Sequence, residues 1–228
     1  VPQALRGGIV ESPVNMPQIR MLQGNRMTAY TVLAEKLGLF AAQFVDFTPD
    51  RLRIVYRGDI AEHDCRLLRL AFLKGYLGTQ IDYVSYVNAE QRARSTGLQV
   101  EDVEDPGFTD YESAIKFILA GDGRECAFGG VVFSGPHPRI TLVDGFTYEV
   151  EPEGTFLLLR CRNKLGVLAA MSSVLDKHGI LITRIDFSES DSRKRTMFMF
   201  RVAQDVADPV MEELRGLEHV RMIRKIAI

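Results

Sequence analysis

The stretch RCRNKLGV, residues 160–167, gathers groups that could hold a small charged molecule. It follows an apolar run at 157–159 and leads into LAAMSSVLDKHG, whose apolar residues recur with helical spacing. A strand that passes into a helix leaves four backbone amides without intrahelical partners, and the aligned peptide dipoles make that end positive. A carboxylate suits such a place. Gly166 lets a ligand approach the backbone closely. Asn163 can both donate and accept hydrogen bonds, as a zwitterion requires, and Cys161 stands on the strand side. The same residues serve equally as a plain bend, with Gly166 admitting the turn and Asn163 capping the helix. Spacing alone leaves both readings open.

Elsewhere, local motifs argue against most chemistry. GDGREC at 121–126 has G-x-G without a third glycine and leads into an apparent strand, so it presents no helix amides to a pyrophosphate. His63 and Cys65 lie two apart, but no second ligand pair follows at zinc spacing; EHDC reads as a polar helix start. His137 and His219 read as exposed residues, and no motif nominates a Ser/Cys–His–Asp set. The expectation is no catalytic residue and no metal ligand. A turnover centred on Cys65 and His63 is the enzymatic alternative, and a turnover assay on the chain would expose it.

Composition agrees. A net charge of −2 over 228 residues gives no nucleic-acid footprint, and the basic run at 192–195 reads as a solvated turn. No apolar run approaches the roughly 18 residues of a membrane span. Three widely spaced cysteines point to a reducing, cytoplasmic setting. The chain opens without an initiator Met or an apolar leader and reads as a piece of something longer.

The elements that must position these residues follow from periodicity. Residues 1–26 read as an irregular lead-in. Tyr30, Leu33, Leu37, Phe40 and Phe44 mark an amphipathic helix, and Leu52, Ile54 and Tyr56 alternate with arginines in a half-buried strand. DCRLLRLAFLKGYLG is a helix with Asp64 as N-cap and Gly75 or Gly78 as its stop. Asn88 and Gln91 form a capping box for a shorter helix closed by Gly97. Residues 98–150 are mostly strand, with Asp144-Gly145 as a type I′ hairpin turn. EPEG at 151–154 marks a domain boundary. The remainder reads β-α-β-β-α-β: a strand at 155–162, a helix at 165–178 with Leu168, Met171, Val174 and Leu175 inward, a strand at 180–187, a polar hairpin, a strand through TMFMFRVA, a helix at 208–217 and a last strand. That order is ferredoxin-like, with an antiparallel sheet.

NKLGVLAAMSSVLDKHGILITRI within this βαββαβ unit resembles the ACT domain, a small amino-acid-binding module. SPVNMPQI, LAEKLGLFAAQF, LKGYL, YVNAEQRARSTGLQVEDV and GPHPRITLVDGFTYEVEPEG, in that order, resemble the allosteric substrate-binding domain of long-form D-3-phosphoglycerate dehydrogenase. The resemblance covers nearly the whole chain. It implies an α+β protein: a lead-in at 1–12 from a missing catalytic region, a mixed α/β allosteric substrate-binding domain at 13–152, and an ACT regulatory domain at 153–228. It implies no cofactor in this stretch, with NAD in the parent enzyme, and a homodimer or homotetramer formed through the ACT domain and joined to the missing dehydrogenase domains.

The resemblance also assigns residues. An amino-acid effector, with L-serine the first candidate, would meet Cys161, Asn163, Gly166, Val167 and Leu181. Asn163 matches the family. Cys161 stands where the family has His or Tyr, Leu165 replaces a proline, and Leu181 replaces a serine-binding Asn. Loss of one hydrogen bond to a charged ligand costs about 1.5–3 kcal/mol, so Leu181 favours a more apolar ligand or none. An anionic substrate-like ligand would meet Arg139 and Arg201, with Lys74 as a further cation, where the first domain meets an ACT domain. A third position, basic in some members, is Glu151. The apolar strands TFLLLRCR and RTMFMFRVA suggest a face that meets a second copy. The alternative function is a purely structural oligomerisation module that has lost its effectors.

Overall fold

The computed structural model describes residues 25–105, 107, 111–133, 135–162, 166–190 and 195–228. The lead-in at 1–12 and the ESPVNMP stretch lie outside the described residues. The chain divides into two compact units: one takes the residues up to Asp144 with Glu149–Pro152, the other Gly145–Tyr148 with Glu153–Ile228.

In the first unit, helix α1 (Asn25–Phe44) precedes β1 (Arg51–Gly58), α2 (Arg66–Leu77) and the short α3 (Ala89–Ser95). Then come β2 (Gln99–Asp105), β3 (Ser113–Gly121), β4 (Arg124–Phe133), β5 (His137–Val143) and β6 (Phe146–Val150), the last a strand of the same sheet whose first three residues cluster with the second unit. The sheet order is β2-β1-β3-β4-β5-β6, with β1 and β2 parallel and β1 antiparallel to β3. The helix starts at Asn25, about one and a half turns before the first of the periodic apolar residues, and Tyr30, Leu33, Leu37, Phe40 and Phe44 are all buried as expected. Tyr30 ties α1 to the sheet: its hydroxyl donates to Ser113 O (2.8 Å) and accepts from Val132 N (3.2 Å). Phe72 of α2 stacks on Phe117 of β3 at 4.0 Å between centroids.

Three local expectations meet corrections here. Gly75 does not stop α2; it lies inside the helix, and Gly78 is the C-cap. A Cβ at Gly75 would stand 2.0 Å from Glu35 O, and one at Gly38 would stand 2.2 Å from Phe72 O. The two glycines therefore let the backbones of α1 and α2 touch. The N-cap of α2 is Cys65, and Asp64 instead accepts from Arg66 N (3.1 Å). Asn88 caps no amide ahead of it. Its side chain turns back, accepting from Ser85 N (2.8 Å) and donating to Tyr83 O (2.9 Å), so the capping box does not form. Asp144 and Gly145 both take positive φ (48° and 81°), as a type I′ turn requires. Asp122 and Gly123 (φ 53° and 70°) make a second such turn inside GDGREC, between β3 and β4.

The second unit runs β7 (Thr155–Arg162), α4 (Val167–Lys177), β8 (Ile182–Ser190), β9 (Arg195–Val202), α5 (Asp208–Arg215) and β10 (Val220–Ala227). Its sheet is antiparallel in the order β10-β7-β9-β8, the split-βαβ arrangement. Leu157, Leu159 and Cys161 of β7 pack with Phe200, Val202 and Ile223 against Val167, Met171, Val174 and Leu175 of α4 and Val210, Met211 and Leu214 of α5. Leu168 is 41% exposed, contrary to expectation. Val167, the first helical residue, takes the inward place, and the face then repeats at Met171, Val174 and Leu175. The apolar strands β7 and β9 are the two inner strands, and Phe156, Leu158, Met197 and Met199 on their other face are buried as well. Burial within one chain accounts for that apolarity. On the edge strand β8, by contrast, Ile185 (41%) and Phe187 (65%) are exposed.

Candidate effector site

At the head of α4, Gly166 takes a left-handed conformation (φ 91°, ψ −16°) that an L side chain adopts only at a cost. Its carbonyl accepts from Ala170 N (2.9 Å), so the first helical bond is already made, and among the described residues no side chain caps the helix. Gly166 is exposed, and a Cβ there would meet nothing within 4 Å. Among the described residues nothing crowds Gly166 at the head of α4, and the opening amides of a helix attract a carboxylate. Asn163, with Lys164 and Leu165, lies outside the described residues.

Cys161 and Val167 are brought together, but in the core, at 2% and 4% exposure. Burial pushes the Cys161 thiol up, so at neutral pH it is a small protonated apolar group. Leu181 is 61% exposed just before β8. Its amide donates to Gln204 Oε1 (3.0 Å), its carbonyl accepts from Ala203 N (3.0 Å), and Gln204 Nε2 donates to Gly179 O (3.3 Å). Gln204 therefore braces the turn that leaves α4. Sequence reasoning missed it, since an isolated glutamine after a strand carries no local signal. Gly166 and Leu181 stand at opposite ends of α4, whose 11 residues span about 16 Å at 1.5 Å per residue. One amino acid cannot touch both within a single chain.

Each candidate cation of the anion set has a carboxylate partner in its own unit. Arg139 on β5 pairs with Glu151 (3.0 Å), and Arg201 on β9 pairs with Glu153 (3.1 Å). Lys74 on α2 pairs with Glu35 (2.8 Å) and lies 4.7 Å from the centre of the Tyr86 ring, while the Tyr86 hydroxyl donates to the other oxygen of Glu35. Lys74 is thus part of a half-buried tie between α1, α2 and the loop before α3, rather than a solvated lysine. Cys65 donates to Ile60 O (3.2 Å), and burial pushes its thiol up to about 12, which removes the nucleophilic thiolate at neutral pH. Among the described residues, no group of three His, Cys, Asp or Glu is placed to hold a metal ion, and no helix is long and apolar enough to cross a membrane.

The split-βαβ unit with an open helix head defines a class: residues 155–219 match the ACT domain. Residues 26–144, more than half of the chain, match the D-3-phosphoglycerate dehydrogenase intervening domain, and the chain belongs to that family. It is similar to D-3-phosphoglycerate dehydrogenase of Methanocaldococcus jannaschii, 25% identical over 99% of this chain and 43% of that protein. It is 26% identical to that of Synechocystis over 95% of this chain and 40% of the relative. D-3-phosphoglycerate dehydrogenase 2, chloroplastic, of Arabidopsis thaliana is also 26% identical, over 95% of this chain and 38% of its own length. The chain spans about two fifths of the length of these relatives.

Proposed function

We propose that this chain is the non-catalytic regulatory region of a D-3-phosphoglycerate dehydrogenase of L-serine biosynthesis. In this reading, NAD and hydride transfer belong to the dehydrogenase domains that the region serves, and the protein is cytoplasmic. An amino-acid effector, L-serine first, binds the turn between β7 and α4. The opening amides at Gly166 and Val167 take its carboxylate, Asn163 takes its polar groups, and Cys161 supplies an apolar floor. Leu181 completes the place from a second copy. An anionic, phosphorylated substrate-like ligand is given to Arg139 and Arg201, with Lys74 as a further cation, through paired charged hydrogen bonds. Each ligand acts by favouring one quaternary arrangement over another.

The observation that carries the reading is the head of α4, uncapped and uncrowded among the described residues, with Leu181 at the helix's far end. Together they make effector binding depend on self-association, for which β8, with Ile185 and Phe187 exposed, is the suitable edge. The test combines equilibrium sedimentation with calorimetric titration of L-serine. Heat is expected from the associated chain and not from Phe187→Glu, which should sediment as a smaller species. Equal heat from a chain that sediments as a monomer would overturn the shared-site reading.

A second reading, a scaffold that has lost its effectors, is favoured by the apolar side chain of Leu181 and the burial of Cys161. No heat with L-serine or with inorganic phosphate from the associated chain would select it.

A further inference from the structure

Among the described residues, four serines and threonines are buried: Thr31, Ser113, Ser188 and Thr196. Three of them are paired. Thr31 Oγ1 donates to Met27 O (2.8 Å), Ser113 Oγ accepts from Ile60 N (3.1 Å), and Ser188 Oγ accepts from Thr147 N (3.0 Å). Thr196 is the exception. The residue is 3% exposed, and its Oγ1 has no hydrogen-bond partner among the described residues. A buried hydroxyl without a partner costs the fold the hydration it has given up. Valine would fill the same space without that cost.

Its place in the sheet gives the hydroxyl a use. Thr196 on β9 stands directly opposite Cys161 on β7 and Glu189 on β8. Directly opposed residues share a face of the sheet. Cys161 faces α4, packed in one cluster with Val167, the first residue of that helix. Thr196 therefore lies on the α4 side of the sheet, in the row of side chains at the head of the helix. The row runs from the buried Cys161 to the exposed Glu189 on the edge strand.

We infer that Thr196 is a specificity-determining residue of the effector site, whose unpaired hydroxyl selects an amino acid that carries a hydroxyl on a short side chain. This rests on the proposed effector reading of the head of α4. The helix amides take the carboxylate that every amino acid has, so they cannot tell L-serine from L-alanine. A threonine hydroxyl can both donate and accept. L-serine gains a hydrogen bond there, and Thr196 gives up no other partner to make it. L-alanine gains none, and leaves the hydroxyl as it found it.

The test is calorimetric titration of the full chain with L-serine and with L-alanine, alongside urea unfolding of the free proteins. Thr196→Val removes the hydroxyl and keeps the shape. The free variant should unfold at the same urea concentration as the wild type or a higher one. Its affinity for L-serine should fall about twofold to tenfold, the worth of one neutral hydrogen bond, while that for L-alanine is unchanged. Thr196→Ser keeps the hydroxyl and should keep the preference for L-serine. A Thr196→Val chain that unfolds at clearly lower urea would show that the hydroxyl has a partner in the free protein, which removes the premise. If the wild type binds L-serine and Thr196→Val retains the full preference over L-alanine, the selecting role is wrong and the effector reading stands. If the wild type binds neither amino acid, the effector reading falls, and the inference with it.

Discussion

Gly75→Ala sets two large effects against each other. In an isolated helix the change stabilises by about 1 kcal/mol, because alanine is the better helix former. In this fold the new Cβ would stand 2.0 Å from Glu35 O and 2.9 Å from Leu39 N, both backbone atoms of α1. Ordinary contact needs about 3.4 Å, so α1 and α2 must part by more than an ångström, with no flexible side chain to yield. Overpacking of this kind costs about 1–3 kcal/mol, occasionally more. An obstacle made of backbone places Gly75 at the upper end of that range. Net destabilisation is then about 2 kcal/mol, which lowers the melting temperature by about 4–8 °C. Separation would also strain Lys74, Glu35 and Tyr86, which bridge the same helices. Thermal unfolding followed by far-ultraviolet dichroism should show the loss for Gly75→Ala and for Gly38→Ala. The double variant should cost less than the sum, because one separation serves both methyl groups. A Gly75→Ala protein that melts at or above the wild-type temperature would refute the close-approach argument.

Gly166→Ala meets no atom but must hold φ near 91°, so it should lose about 1–2 kcal/mol in denaturant unfolding; no loss would show that the turn adopts another conformation. Leu181→Asn restores a side chain able to hydrogen-bond a charged ligand, and L-serine titration should show about tenfold to hundredfold tighter binding; an unchanged affinity would remove Leu181 from the site. Glu213 accepts from Lys177 Nζ (2.8 Å) and lies 2.7 Å from His178 Nε2, and these partners, Lys177 first, hold its carboxyl below the ordinary 4.5. The stability this contributes is present above about 4.5 and is lost as pH falls through the lower folded value. Glu213→Gln should therefore flatten the acid limb of a stability–pH curve, and an unaltered limb would exclude the pair from acid unfolding.

The periodic signals were legible. Buried residues in α1, alternation in β1, the Asp144-Gly145 turn and the split-βαβ order are all local, and each appears where the pattern put it. What escaped depends on neighbours far along the chain. Gly75 reads like any helix-ending glycine until Glu35 O is seen beside it. The apolarity of β7 and β9 has two local explanations, an interface or an inner position, and only strand order separates them. Asn88 had the spacing of a capping box, but its side chain found closer partners behind it, at Ser85 and Tyr83. At the candidate site, the turn at Gly166 was visible as a pattern, whereas the inward direction of Cys161, the brace from Gln204 and the carboxylates on Arg139 and Arg201 are products of packing.

All three cysteines, Cys65, Cys126 and Cys161, are buried, and this makes the native chain almost silent to thiol-directed probes. A single cysteine introduced away from β8, at Glu218, whose side chain is 86% exposed, would accept a spin label or fluorophore without removal of the others. Distances between labelled copies could then be followed as candidate metabolites are added, with the β8 edge intact.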